Sequence, residues 1–396
     1  MRSPLRLIAL AITAAALSWA VIAVDAQDSG NIPLSHPAIR YGESVNDPVA
    51  VMLRDPERRA RLESAEPARL LKTLLDALSI SEESQMLVFL SGSLQGGRIN
   101  ANNPRALYFN DSVSVGWVRG GFIEIASQDP TQGTVFYTAG ASRELVTREN
   151  DRCLGCHASG RTDGVAGMIE RMGQRQPLDQ RWGGWFVTGQ LGPVRHLGNI
   201  DQKTFLANPD ARAPEHIFTL DRTFDTGGYL TPHSDVAALM VFEHQMQMMN
   251  LLTRLGWETR VAQHEARLDP QRSVIQETIG KVVDYMLFVD EAPIRSRIQG
   301  STRFAGVFSS RGPRDQQGRS LYQLDLTARL MRYPCSYMIY SEQFDRLPAE
   351  AKTAVYQRLW AVLSGADRDS KYRHLSGPDR EAIMAILRAT KPDFQP

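Results

Sequence analysis

Hydrophobic and polar positions follow two different rhythms along this chain. From about residue 85 to 231 they alternate or run in short apolar bursts between turn residues. "QMLVFL" is one burst, and "GTVFYTA" is a second, rich in β-branched and aromatic residues. "SVSVGWV" and "FIEIAS" alternate with period two and are separated by "RGG", which predicts a hairpin. "GGWFVTG" carries glycine at both ends and predicts a further strand. From Pro232 the period becomes helical. "TPHSDVAALMVFEHQMQMMNLLTRL" predicts a helix with Thr231 as N-cap and Pro232 in its first position. "SVIQETIGKVVDYMLF", "PAEAKTAVYQRLWAVLSG" and "SGPDREAIMAILRAT" predict three more, the second of them ending at Gly365. Before the strands, "PARLLKTLLDAL" predicts one short helix. No internal repeat is present. Strands and helices are segregated, so the expected class is α+β, with a β-rich region at 85–231 and a mainly helical region at 232–396 packing on it. Residues 27–84 form an N-terminal segment with the short helix.

The first 26 residues stand apart. Arg2 and Arg6 precede an uncharged apolar run from Leu7 to Val24, and Val24 and Ala26 occupy the −3 and −1 positions of a cleavage site before Gln27. This reads as a secretory signal peptide, so a periplasmic or otherwise exported protein is expected. The alternative is an N-terminal membrane anchor, because the run reaches the lower end of spanning length. Small residues dominate the run and a cleavage site ends it, which favours cleavage. No later stretch reaches spanning length, so no stable span is expected after cleavage.

Composition narrows the field without naming an activity. Hydrophobic residues make up 42% of the 396 and charged residues 22%, as in ordinary globular proteins. Net charge is +1, so neither nucleic acid nor an anionic membrane is an expected partner. Three cysteines do not make a disulfide framework.

Two of those cysteines carry the chemistry. "DRCLGCHASGRT" places Cys153, Cys156 and His157 in the C-x-x-C-H order of c-type haem attachment. Two thiols add across the two porphyrin vinyl groups, sulfur to one carbon and hydrogen to the other, and the adjacent imidazole becomes the fifth iron ligand. A zinc site would need a second ligand pair, and only Cys335 remains. A thioredoxin-like motif would want a βαβ context, but a polar run precedes Cys153. A plain disulfide is the other alternative. An exported chain with His157 directly after Cys156 favours one covalent haem c. Cys335, among apolar and aromatic neighbours, reads as a buried small residue.

"NPRALYFND", "VGWVRGG", "DPTQGTVFYT", "CLGCH", "RWGGWFVTG", "EHQ" and "SYMIYSEQFDRLP" together resemble a group of large exported bacterial proteins with a single c-type haem motif, a cytochrome c domain-containing family. The resemblance covers most of the chain from about Gln85 to Lys391. It implies a haem-binding protein of the cell envelope and supplies no reaction, substrate or sixth ligand.

The sixth ligand must therefore come from the remaining side chains. Met168 and Met172 follow the motif, but with 13 methionines present each reads as core or spectator. His36, His216, His264 and His374 have polar or charged settings. His233 and His244 lie eleven residues apart on the expected helix, about 16 Å along its axis, so one iron cannot take both. His233, in the first turn, suits a cap as well as a ligand. His244 is flanked at i−4 and i+4 by Met240 and Met248, an apolar wall that suits a haem pocket. It is the preferred sixth ligand, and a satisfied core histidine is the bland alternative. His196, in the glycine-bounded "GPVRHLGN", is the second candidate. A protein ligand on both faces closes the iron to substrate and favours electron transfer with a redox partner protein or a small-molecule donor or acceptor. An open iron favours a peroxidase- or oxidase-like enzyme or a gas sensor. Tyr108, Trp117, Tyr137, Trp182 and Trp185 read as core before they read as an electron relay. Arg105 and Arg181 are candidates to hold haem propionates.

Overall fold

Asp47 and Asp55 start the described fold by capping two short helices. Each carboxylate accepts the first free backbone N–H groups, and each is followed by proline at the first helical position. The result is α1 (Pro48–Arg54) and α2 (Pro56–Glu63), followed by α3 (Leu70–Ala77). The computed structural model describes residues 31–142, 144–149, 151–169, 173–208, 210–211, 216–266 and 274–395. The expected signal peptide and Met172 lie outside them. Only α3 was expected from the hydrophobic pattern. α1 and α2 are short, and what defines them is the Asp-Pro entry rather than an apolar stripe.

Six strands then form an antiparallel meander in chain order: β1 (Met86–Val88), β2 (Arg105–Phe109), β3 (Val113–Trp117), β4 (Ile123–Asp129), β5 (Gly133–Ala139) and β6 (Val146–Arg148). The expected hairpin is present, with Trp117 opposite Ile123 across the "RGG" turn. Side chains alternate between the two faces. Ala106, Tyr108, Val113, Val115, Ile123, Ile125, Val135 and Tyr137 face α1–α3 in one core cluster. Leu107 and Phe109 face the helical side in a second cluster. At one end of that second face the period places Arg105, Gly116, Glu124 and Phe136.

The motif lies on a seven-residue helix, α4 (Asp151–His157), after β6. "GGWFVTG" supplies isolated bridges from Trp185 to Val88 and from Thr188 to Asp235, and the first residue of a two-residue strand, β7 (Gly189–Gln190). After α5 (Gln202–Ala207), β8 (His216–Ile217) pairs with one edge of β7, and β9 (Gln299–Gly300) pairs with the other.

The central element is α6 (Val236–His264), 29 residues long. It begins four residues later than expected. Asp235 caps it, accepting from the amides of Ala237 and Ala238 at 2.8 and 3.1 Å. Thr231 to Ser234 are held outside the helix instead. The Gln85 side chain donates to the carbonyls of Thr231 and His233, both at 2.7 Å, and Ser234 Oγ donates to Phe186 O at 2.6 Å. His233 is therefore not a helical residue. α6 is buried on nearly every side. The sheet covers one flank through Phe109 and Phe242, whose rings lie 4.9 Å apart. α7 (Val274–Met286), α8 (Phe304–Ser309), α9 (Glu342–Asp345), α10 (Ala349–Leu363) and α11 (Gly377–Thr390) build the rest. Three of these match the expected helices, with Ser376 capping α11 through a capping box to Asp379. The architecture is α+β as expected. No helix among the described residues is long and apolar enough to cross a membrane.

Candidate functional site

α4 brings Cys153 and Cys156 one turn apart, neighbours on one side of the helix, with His157 next in line. Leu154 roots this short helix in a small cluster made by Ile39, Tyr41, Val165, Trp257 and Val261. Glu149, just before the helix, is bonded to Thr138 Oγ1 at 3.1 Å and paired with Arg152. Both thiols are free, Cys153 half-buried and Cys156 exposed. Burial, with the charges of Glu149 and Glu124, pushes the Cys153 thiol up to about 11.

His157 is held from behind. Its Nδ1 lies 2.9 Å from the carbonyl of Gly167, and its own carbonyl accepts from the Gly167 amide at 2.9 Å. A carbonyl can only accept, so Nδ1 carries the hydrogen and Nε2 keeps its lone pair. No hydrogen bond to Nε2 is found among the described residues. The ring lies against Phe136, with centroids 4.7 Å apart. Burial depresses the imidazole's pKa below its ordinary value, and the Arg105 charge adds to this against the opposing Gly167 bond. The loop from Ser159 to Met168 makes this possible. Ser159 and Thr162 form a capping box, Asp163 turns the chain at φ 54°, and Ala158 bridges to Ala166.

This donor set fits a haem c. Two thiols sit one turn apart, beside a neutral imidazole whose far nitrogen is open and whose near nitrogen is fixed by a carbonyl. A zinc ion is a poorer fit, because no group of three or more His, Cys, Asp or Glu side chains is gathered among the described residues.

The expected sixth ligand does not fit. His244 is fully buried and both its ring nitrogens are used. Nδ1 lies 2.8 Å from Gln174 Oε1, and Nε2 lies 2.7 Å from Ser336 Oγ. Its ring is stacked between Tyr285 and Phe288 at 5.1 and 4.5 Å. Burial lowers its pKa to about 3. It is a satisfied core histidine, and the apolar wall that pointed to a haem pocket is a packed core. His196 is different. It is buried beside Trp182, 5.3 Å between centroids, and its Nδ1 has no partner among the described residues. His36, His233 and His374 each bond a backbone group through Nδ1.

The two candidate arginines also separate. Arg181 is buried against Glu243 at 3.2 Å and donates to the carbonyls of Gln174 and Gln176 at 2.8 and 2.7 Å. It is a core residue and not a free propionate partner. Arg105 is partly exposed, lies 3.1 Å from Glu124, and has an Nε without a partner among the described residues. Its charge acts on both Cys153 and His157. Glu124 also accepts from Ser93 at 3.0 Å and from Gln95 at 3.4 Å. Met168 packs against the α6 core. Tyr108, Tyr137 and Trp182 are core residues, Tyr108 bonding Gln85 and Tyr137 bonding Asp47, while Trp117, packed on Tyr229, and Trp185 are partly buried against the core.

Sequence reasoning missed Gly167, which fixes His157, and Phe136, which flanks it. Asn250 was missed too, although a lone asparagine inside "MQMMNLL" is the kind of polar interruption that signals a dedicated contact. No protein-family model matches the chain, and no curated protein or solved structure matches it.

Proposed function

We propose that this chain is an exported, periplasmic c-type cytochrome with one haem attached through Cys153 and Cys156. In this reading His157 is the fifth iron ligand, and electron transfer with a redox partner protein or a small-molecule donor or acceptor is the role. The observation that carries the reading is the state of His157. Its Nδ1–H is committed to Gly167 O at 2.9 Å, and its Nε2 has no partner among the described residues, beside two free thiols. A bound haem c would supply one-electron redox chemistry. The chain's own contribution is to present two sulfurs on one helical turn, to hold the imidazole neutral and to fix its direction. Leu154 and the Gly167 loop do the holding.

A haem enzyme or a gas sensor is the second reading, and one observation favours it. His244 has no nitrogen to offer, which leaves His196 as the buried histidine with an open ring nitrogen. If His196 does not reach the iron, the far face is open.

The test is direct. Natively matured protein should show a Soret band and a covalent mass gain of one haem. The double variant C153A/C156A should show neither, and its band on a denaturing gel stained for haem should be blank. Wild-type protein without the Soret band and mass gain would end the reading. Carbon monoxide then separates the two roles: a reduced spectrum it leaves unchanged supports electron transfer, and a shifted one supports the enzyme or sensor.

A further inference from the structure

α6 carries a polar stripe that faces the loop after His157. Gln247, Asn250 and Arg254 lie at i, i+3 and i+7, one above another on a single side of the helix. Each contacts the loop. Gln247 Nε2 donates to Asp163 Oδ2 at 2.9 Å, and Arg254 Nη1 donates to Asp163 O at 3.2 Å. Asn250 makes the tightest engagement, accepting from the Met168 amide at 3.0 Å and donating to the Met168 carbonyl at 2.7 Å. A side-chain amide that meets both polar groups of one residue fixes that residue in position and orientation. Met168 directly follows Gly167, whose carbonyl holds His157.

Two facts argue that this clamp is specific. Asn250 is 1% exposed in the midst of an apolar helix, where an unpaired amide would be costly. Among the described residues its hydrogen bonds go to the loop. Gly167 also has no room for a side chain, because a Cβ there would overlap Asn250 Oδ1. The asparagine and the glycine are fitted to one another.

We propose that Asn250 is a positioning residue for His157, acting through Met168 and Gly167. The proposal rests on the haem c reading. Outer partners of a ligating histidine set its orientation and raise its basicity. The Gly167 carbonyl, accepting from Nδ1–H, makes Nε2 a stronger donor and so favours the more positive, oxidised iron. Loosening Gly167 weakens that donation and favours the reduced state. Loss of Asn250 should therefore raise the reduction potential.

The experiment uses matured, full-length, haem-loaded protein and the variants N250A, N250D and Y337F. N250D keeps an acceptor for the Met168 amide but offers no donor to its carbonyl. Y337F removes a different buried bond to α6, that from Tyr337 Oη to Gln245 Oε1, and leaves the loop untouched. At fixed poise the ratio of reduced to oxidised protein should rise about tenfold in N250A, about 59 mV for one electron. The shift should be smaller in N250D and absent in Y337F. Amide exchange at Gly167 and Met168 should quicken at least tenfold in N250D, a readout that needs no haem. If N250A does not mature, N250D decides. A potential unchanged in N250D, or one that Y337F moves equally, overturns the proposal, as does unaltered amide exchange. Wild-type protein without a Soret band would instead sink the haem reading, and the exchange result would still judge the clamp.

Discussion

His157 and His244 sit at two ends of a range. His157 lies on a seven-residue helix near the surface, with one ring nitrogen committed and the other without a partner among the described residues. His244 lies in the middle of a 29-residue helix, fully buried, with both nitrogens committed. Gln174 Nε2 bonds Tyr285 O at 3.3 Å, which turns its Oε1 toward His244. Nδ1 of His244 is then the donor and Nε2 accepts from Ser336. The second site is more apolar, more aromatic and better ordered by its neighbours, and for that reason it is closed. An apolar wall around an imidazole does not mark a ligand. His157, the proposed ligand, instead has one nitrogen anchored and the other unclaimed among the described residues.

The comparison breaks most visibly at His244. H244A should cost about 3–5 kcal/mol, because it opens a cavity between Tyr285 and Phe288 and strands the Gln174 and Ser336 partners. The visible spectrum of the protein that remains folded should not change. Urea unfolding and an absorbance scan check both halves. A ferric spectrum shifted by H244A would return His244 to the iron and refute the contrast drawn here.

Acid sharpens the same contrast. Burial lowers His244 to about 3 and His196 to about 4, both below the usual histidine value. The unfolded chain therefore takes up these two protons first as pH falls. Their stabilising effect is complete above about pH 6.5 and is lost as pH drops from there toward 4. Burial raises Glu291 to about 7, with the opposite sign. Its contribution is complete below its unfolded value near 4.5 and is lost as pH rises through 7. Between about pH 6.5 and 4.5 the unfolded state gains two protons from the histidines and the folded state one from the glutamate. Each of the two histidines adds a fall of about 1.4 kcal/mol per pH unit in that window, and Glu291 opposes one of them. H244Q should lower the slope by about 1.4 kcal/mol per pH unit relative to wild type. Equal slopes in denaturation midpoints for wild type and H244Q would show that His244 is not the buried neutral base described.

The hydrophobic pattern read the long elements well and the short ones poorly. α7, α10 and α11 have helical stripes, β3 and β4 come from alternating stretches, and β5 from an apolar burst, so the pattern located them. α1 and α2 owe their existence to Asp47, Asp55 and two prolines. Capping of that kind is a local signal that the pattern of apolar residues does not carry. Thr231 was a plausible cap until Gln85, 146 residues away, claimed its carbonyl. "GGWFVTG" failed as a strand because Ser234 and Asn199 take up backbone groups that a longer ladder would have used. At the candidate site, Cys153, Cys156 and His157 were legible together because they are contiguous in the sequence, on one short helix. The parts that hold His157 come from Gly167, Phe136 and Asn250, and only the fold brings them together. The choice of His244 failed for the same reason: Gln174 and Ser336 lie 70 and 92 residues from it in the chain.

The smallest effect expected is at Arg105, and it tests whether the two arginines differ as the two histidines do. Arg181 is a buried ion pair whose loss would strand Glu243. Arg105 is partly exposed, and its partner Glu124 keeps Ser93 and Gln95 as donors when the guanidinium is removed. Gly116 leaves space for the arginine, so nothing is compressed against it. R105Q should therefore cost about 1 kcal/mol or less. Measured in both the haem-loaded protein and C153A/C156A, that cost forms a double-mutant cycle. If Arg105 Nε, without a partner among the described residues, bonds an anionic group of the bound cofactor, R105Q should cost more in the loaded protein. Equal costs in the two backgrounds would mean that Arg105 serves Glu124 alone. A loss above about 2 kcal/mol in both would make it a buried structural pair like Arg181, and the contrast between the two arginines would not hold.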